Sequence, residues 1–435
     1  QTYLRNPPMN LAETGTRTAT SPTQALPVAA APGIEAWHVA SPVVPMIALS
    51  FTFEGGAAQD PEGKAGTAQM LGRLLDEGAG DLDSNAFQEA LAARAIELSF
   101  HTGPDSIGGS LKTLLTHADE AIRLLALALA EPRFDAPSVE RVRAQMIASL
   151  RYQQNDPGVL ASRRYFRTAF PDHPYGRPSS GTIETVSAIT RDDLVAMHRA
   201  LIGRGGLKVA AVGAFEADGI AAMIERAFGG LPEAGPLKPV LATSIRELGS
   251  RIVVDLDVPQ SVIRFGLPGI AWRDPDFIPA YVLNHILGGG AFTSRLFQEV
   301  REKRGLAYSV GTSLTSHRAV AMTWGYTATK NERVTEALDV IGDEIARLIT
   351  DGPCDEELQK AKDYLTGSYA LGFDTSTKIA GQLVQIAFEG LGMDYIARRN
   401  DMVASVTQAD IRRAGARTLG DGQMLVVAAG RPTGM

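Results

Sequence analysis

Residues 44–66, VPMIALSFTFEGGAAQDPEGKAG, run an alternating apolar strand into a Gly-Gly turn and then through an Asp-Pro step into a helix. Residues 258–279, VPQSVIRFGLPGIAWRDPDFIP, follow the same plan, and in each stretch the first proline stands 15 residues before the aspartate of the Asp-Pro pair. Working outward, Phe87-Gln88-Glu89 answers Phe297-Gln298-Glu299, and SAITRDDL from Ser187 answers ASVTQADI from Ala404. LKVAAVG ending at Gly213 answers MLVVAAG ending at Gly430, and these last two matches share one offset of 217 residues. The chain is therefore a diverged internal repeat. Each half reads as strands, a helix, strands, two long helices, then a helix and a closing strand. HADEAIRLLALALAEP from His117 and SVERVRAQMIASLRYQQ from Ser138 carry apolar residues at three- and four-residue steps, as helices do. Strands clustered with helices without strict alternation give an α+β class.

The boundaries follow from composition. Residues 1–32 are rich in Thr, Pro and Ala without period and read as an extended N-terminal arm. GGLPEAGPLKPVLATSIRELGS, Gly229 to Ser250, mixes Gly and Pro with little periodicity and reads as a linker over 231–250, between a first domain at 33–230 and a second at 251–435. The 435 residues, 45% hydrophobic and 21% charged, suit a globular chain with a sizeable interior. A formal charge of −7 without a Lys/Arg block argues against nucleic acid as a partner. No apolar run approaches the roughly 20 residues of a membrane helix. The chain begins at Gln1, so its natural start was removed, either by deliberate trimming or by cleavage of an export signal.

Metal chemistry finds little support. The seven histidines, His38, His101, His117, His173, His198, His285 and His317, include no pair three or four apart on a helix. His285 reads as a partly buried histidine bonded to a backbone carbonyl. The single cysteine, Cys354, lies in a Gly-Pro loop at a helix start and reads as incidental, and no G-x-S-x-G elbow exists. Gly288, Gly289 and Gly290 lack the G-K-[ST] ending of a phosphate loop, and read as glycines that let the backbone turn tightly or approach a ligand or partner chain. Arg301, near a helix end, and Tyr308, where the chain becomes a strand, make a candidate pair for binding a peptide backbone or a developing oxyanion. On spacing alone, a solvated basic turn with a core-edge tyrosine stands beside that reading.

GGGAFTSRLFQEVREKRGLAYSV, residues 288–310, closely resembles the C-terminal-domain signature of the M16 zinc peptidases, the pitrilysin and mitochondrial-processing-peptidase-like family. PDHPYGRPSSGTIETVSAITRDDL, residues 171–194, is similar to the family's first-domain segment. The resemblance runs from about residue 35 to the end of the chain. It implies two homologous M16-type (LuxS/MPP-like) α+β domains forming half of a peptidase chamber. Active members bind zinc through an inverted H-x-x-E-H on a first-domain helix and a further Glu about 75 residues on. Laid on GTAQMLGRLLDEG, that pattern puts Gln69 and Arg73 at the histidine positions and Gly72 at the glutamate, with Ser149 or a neighbour at the third ligand. None of these fits zinc: an arginine has no lone pair to donate and brings like charge toward the ion. For Arg73 two readings stand: a partial replacement of the metal's charge, paired with Asp76 or Glu77, or drift to a surface arginine.

Arg301 and Tyr308 match the family's Arg and Tyr pair, which serves substrate binding opposite the zinc and, in the small-subunit branch, serves a zinc site on another chain. The resemblance implies a non-catalytic subunit that holds no cofactor itself. Its partner is an H-x-x-E-H M16 subunit carrying the zinc, and its substrates are peptides. The trimmed start and the likeness to exported bacterial subunits point to the periplasm, with the cytoplasm left open. Two other functions remain: a non-enzymatic peptide-binding or assembly module like the core subunits of respiratory complexes, and an isolated peptidase with an unrecognised metal site, which the histidine spacing counts against.

Overall fold

The computed structural model describes residues 25–41, 45–215, 217–233 and 235–435. Two mixed sheets carry the repeat. The first contains β1 (Leu26–Val28), β2 (Ile34–Ala40), β3 (Met46–Glu54), β4 (Glu97–Thr102), β5 (Ser106–Leu114) and β6 (Leu207–Gly213), in the order β1-β2-β6-β3-β5-β4. The second contains β7 (Arg251–Asp255), β8 (Gln260–Pro268), β9 (Val310–Ser316), β10 (Ala321–Lys330) and β11 (Leu425–Gly430), in the order β7-β11-β8-β10-β9. Leaving β1 aside, the two orders are the same. In each sheet one strand pair is parallel, β2 with β6 and β7 with β11, and the remaining pairs are antiparallel. The chain is thus α+β, as its pattern predicts. Part of the expected arm behaves differently: residues 1–24 lie outside the described residues, but Leu26–Val28 pairs with Ala36–His38 as an edge strand. Backbone hydrogen bonds to β2 hold it there without any need for a hydrophobic period.

Repeated punctuation corresponds to repeated hydrogen bonding. Thr190 opens the helix Arg191–Leu201 with a reciprocal side-chain bond to Asp193, and Thr407 opens Gln408–Thr418 with the same device to Asp410. Each such box satisfies amide donors that a helix end otherwise leaves orphaned, and is worth about 1 kcal/mol.

Each sheet packs one face on helices of its own half and gives the other face to a helix of the opposite half. Pro157–Ala169, from the first half, lies on β8 and β11 of the second sheet. There Tyr165 stands edge-on to Trp324 with ring centroids 4.7 Å apart, and Phe166 stacks on the same indole at 5.1 Å. A Cβ at Gly266 would fall 1.8 Å from the Tyr165 Oη, so only glycine lets this helix lie so close to β8. In exchange Ser376–Glu389, from the second half, covers β3 and β6 and buries Ala380, Leu383 and Ala387 with Trp37, Val39, Ala210 and Val212. Burying Leu383, Val39 and Val212 contributes about 1.5–3 kcal/mol each, and each alanine methyl roughly 0.8 kcal/mol. Neither half keeps that core alone. The segment read as a linker is bonded to both: Arg246 N–H donates to the Ala169 carbonyl, and Thr243 N–H to the Ala319 carbonyl.

Candidate functional site

The helix at the zinc-type position, Thr67–Gly72, is short and firmly held. Gly66 enters it at φ +100°, and the Asp60 carboxylate accepts from the amides of Gly66 at 2.7 Å and Ala68 at 2.8 Å. Burial nevertheless raises the Asp60 carboxyl to about 6, because desolvation outweighs these bonds and the nearby Arg177. The 171–194 segment closes over the helix entry, where Thr185 Oγ1 donates to the Ala65 carbonyl at 2.9 Å.

At the three ligand positions, Gln69, Arg73 and Ser149, and at the glutamate position, Gly72, the zinc-site side chains are replaced. Gly72 is buried, and a Cβ there would lie 2.6 Å from Thr102 Oγ1, which itself donates to the Ala68 carbonyl at 3.2 Å. A glutamate cannot enter without shifting the Thr102 side chain and breaking its bond to Ala68. Gln69 keeps a buried Oε1 with no partner among the described residues, a single neutral acceptor where an imidazole would coordinate. Ser149 is exposed and accepts from Gln153 Nε2 at 3.2 Å. Arg73 is exposed, and its side chain makes no hydrogen bond or ion pair among the described residues. Its expected pairing does not form, because the helix ends at Gly72 and the three- and four-residue spacing no longer aligns side chains. Glu77 instead takes Arg141 of the helix Ala136–Tyr152, at 2.9 Å and 2.5 Å, together with the Ser84 hydroxyl at 2.6 Å. One amide oxygen, a hydroxyl, a glycine and a guanidinium do not make a zinc site.

The second half builds the opposite kind of site. The helical turn Phe297–Glu302 is wide, with the Lys303 amide reaching back five residues to the Gln298 carbonyl at 2.9 Å. Such turns recur at functional sites. Lys303 and Arg304 are both tied to the Glu299 carboxylate, each at 2.5 Å, and together they hold that carboxyl below its usual range. Arg301 is thereby left to the aromatic rings: its guanidinium lies 4.6 Å from the Phe297 ring centre and 4.8 Å from that of Tyr308. Its nearest carboxylate is a loose contact, Glu302 Oε1 at 3.6 Å. Each cation–π contact is worth about 0.5–1 kcal/mol at an exposed site.

Tyr308 is 83% exposed, so the core-edge reading of this residue is excluded. The stack has a fourth member that spacing did not reveal. Phe292, 68% exposed, meets Phe297 edge-on at 5.0 Å. It follows Ala291, which holds a positive φ of 45° at the loop tip. The one signal available was an aromatic in a glycine-rich loop. Phe292, Phe297, Arg301 and Tyr308 thus form a continuous stack of three rings and one cation, with Phe297 buried and Phe292 and Tyr308 exposed, just before β9, the edge of its sheet.

The glycine run is built against its own chain. A Cβ at Gly288 would lie 2.6 Å from Thr312 Oγ1, one at Gly289 2.7 Å from Asn284 Nδ2, and one at Gly290 2.7 Å from the His285 carbonyl. These glycines seat the wide turn His285–Gly289 on β9 and so fix where the Phe292 loop begins. His285 is buried and stacks on Tyr364 at 5.0 Å, and its imidazole makes no bond to a carbonyl among the described residues. Cys354 is exposed and caps the helix Asp355–Gly367.

Family models match both halves: "Insulinase (Peptidase family M16)" over residues 39–183 and "Peptidase M16 inactive domain" over residues 188–365. The chain is 28% identical over 355 residues to the non-peptidase homolog YmxG of Helicobacter pylori, covering 81% of this chain and 82% of that one. It is 30% identical over 324 residues to an uncharacterized zinc protease of Mycobacterium bovis, covering 73% of each. Among solved structures, a peptidase M16 inactive domain from Pseudomonas fluorescens superposes with a TM-score of 0.88 at 28% identity, covering 94% of this chain and 98% of that one. No described helix is long and apolar enough to cross a membrane. The duplicated α+β halves, the emptied zinc-type helix and these likenesses agree: the chain belongs to the M16 peptidase family, as an inactive member whose own zinc-site positions carry no metal ligand.

Proposed function

We propose that this chain is the non-catalytic subunit of a two-chain M16 zinc metallopeptidase, lending Arg301 and Tyr308 to the active site of an H-x-x-E-H partner. The observation that carries the reading is the stack itself. The guanidinium is held between two rings, and the 83% exposed phenol projects from a site where this chain offers no chemistry of its own. The partner's zinc site would supply the hydrolytic chemistry. This chain's residues bind and orient the peptide: the Tyr308 hydroxyl donates to the carbonyl oxygen as negative charge grows there, and the Arg301 cation steadies that charge. Because the cation is fixed before substrate arrives, little reorganisation is needed at the moment of reaction. β9, the free edge of the second sheet, can take an extended peptide as an added strand, which favours unfolded substrates and makes this chain half of a closed chamber. A periplasmic setting would suit hydrolysis of such peptides.

The test is gentle isolation of the tagged chain from its native cells, with mass spectrometry of what accompanies it. A stoichiometric H-x-x-E-H protein whose peptide hydrolysis rises on adding this chain supports the proposal. A chain that leaves such a partner's activity unchanged overturns it, and the non-enzymatic binding module, favoured by the non-peptidase naming of the Helicobacter relative, takes its place.

A further inference from the structure

Away from the stack, the second half encloses a cavity of about 290 Å³ between the helices Phe277–Asn284, Ser376–Glu389 and Tyr395–Ala404. Five aromatic side chains line it: Trp272, Phe277, Tyr281, Tyr369 and Tyr395. Trp272 stacks on Phe277 at 4.3 Å, and Phe277 lies nearly parallel to Tyr281 at 6.2 Å, so one wall is a row of flat faces. Burial pushes the Tyr369 phenol up to about 12, the mark of a dry surrounding.

One cation enters this apolar space. Arg399 is only 5% exposed, yet it lines the cavity and has no carboxylate partner among the described residues. Its Nη1 donates to the Leu365 carbonyl at 2.6 Å and to Asn400 Oδ1 at 3.0 Å, while Nε and Nη2 make no hydrogen bond among the described residues. The guanidinium lies 4.4 Å from the Tyr369 ring centre and 5.5 Å from that of Tyr281, which holds its plane in place. Glu389, also on the wall, has Arg273 and Arg318 as its cations and accepts from Gln385, so it does not serve Arg399. A buried charge without its counter-charge is costly, and structures keep one where something completes it. A guanidinium whose Nε–Nη2 edge is free presents two parallel donors, the arrangement that grips one carboxylate.

We infer that this cavity binds a small monocarboxylate with a flat apolar body, its carboxylate on Arg399 and its body among Trp272, Tyr281 and Tyr369. The volume lies near the lower end for small-molecule sites, which limits the ligand to about the size of one aromatic amino acid. This site is independent of the Arg301 stack.

Titration calorimetry of the full chain with 3-phenylpropionate, and with 3-phenylpropanamide as its uncharged twin, tests the inference. The acid should bind at a single site about 10- to 100-fold more tightly than the amide, the value of a charge-assisted hydrogen bond pair. Arg399→Gln should bring the acid down to the level of the amide, and Leu391→Trp, which fills the cavity and leaves the cation in place, should abolish binding of both. Should Arg399→Gln fail to fold, the acid-to-amide ratio and Leu391→Trp still decide. Equal binding of acid and amide, undetectable binding of the acid, or acid binding that survives Leu391→Trp overturns the inference.

Discussion

The two halves of this chain began from one plan and have been emptied and kept in opposite places. In the first, the helix Thr67–Gly72 is capped by Asp60 and packed by the 171–194 segment, but each position that would face a metal is filled, neutral or turned to solvent. In the second, Arg301 is clamped between the buried Phe297 ring and the exposed Tyr308 ring, and exposing Tyr308 and Phe292 costs apolar surface in solvent. Packing alone explains the first region. It does not explain the second, which the proposed role toward a partner's substrate would explain.

The comparison can be broken most forcefully through what the halves share. If each half depends on the other's helix, Tyr165→Ala should cost about 3–5 kcal/mol and lower the single unfolding transition of the whole chain. Two separate transitions in a denaturant titration, with only one shifted, would show that the exchange of helices does not couple the halves. Next in size is the attempt to refill the first site. Gly72→Glu should destabilise by roughly 3 kcal/mol through overpacking on Thr102 and burial of a charge. Adding Gln69→His and Arg73→His should still give no stoichiometric zinc by elemental analysis, and a tightly bound equivalent would mean that the site is merely mutated and not closed.

A smaller effect comes from Asp76, whose carboxyl burial raises from the ordinary 3.8 to about 6. The folded form then holds its proton more tightly than the unfolded chain does. The stability this confers is fully present below pH 3.8 and is lost as pH rises through about 6. Asp76→Asn should therefore gain about 2 kcal/mol relative to the natural protein between pH 4 and pH 8, read from urea midpoints at each pH. The smallest expected change sharpens the second region. Phe297→Leu removes one face of the guanidinium clamp, and should lower peptide hydrolysis by the assembled complex by about 1 kcal/mol, or five-fold, with partner affinity unchanged.

What was legible in the sequence is what local chemistry fixes. The Thr-x-x-Asp boxes, the alternating strands and the closing glycines each act within a few residues, so their repetition at one offset exposed the duplication and the α+β class. The Arg301 and Tyr308 pairing came from the family resemblance, since spacing alone left a core-edge tyrosine beside it, and Tyr308 lies in the loop just before β9. The exchange of Pro157–Ala169 for Ser376–Glu389 was not, since an apolar helical stripe announces that it will be buried and not against which sheet. Arg73 shows the same limit at a single residue. Spacing placed Asp76 and Glu77 within its reach, but the helix stops at Gly72 and Arg141 arrives from another helix to take Glu77. Phe292 was hidden although Phe297 lies close in sequence, because the turn at Ala291 decides which rings meet; the Arg399 cavity was hidden because its lining comes from distant parts of the chain.

The most direct test of the account is the rate of peptide hydrolysis by the reconstituted complex when this chain carries Arg301→Ala and Tyr308→Phe together. The account predicts a loss of at least about 100-fold in kcat, the scale of removing one oxyanion donor, with the complex still assembling and the partner still holding its zinc. Hydrolysis at the unmutated rate would contradict it, and would leave the stack as a surface without a part in the chemistry.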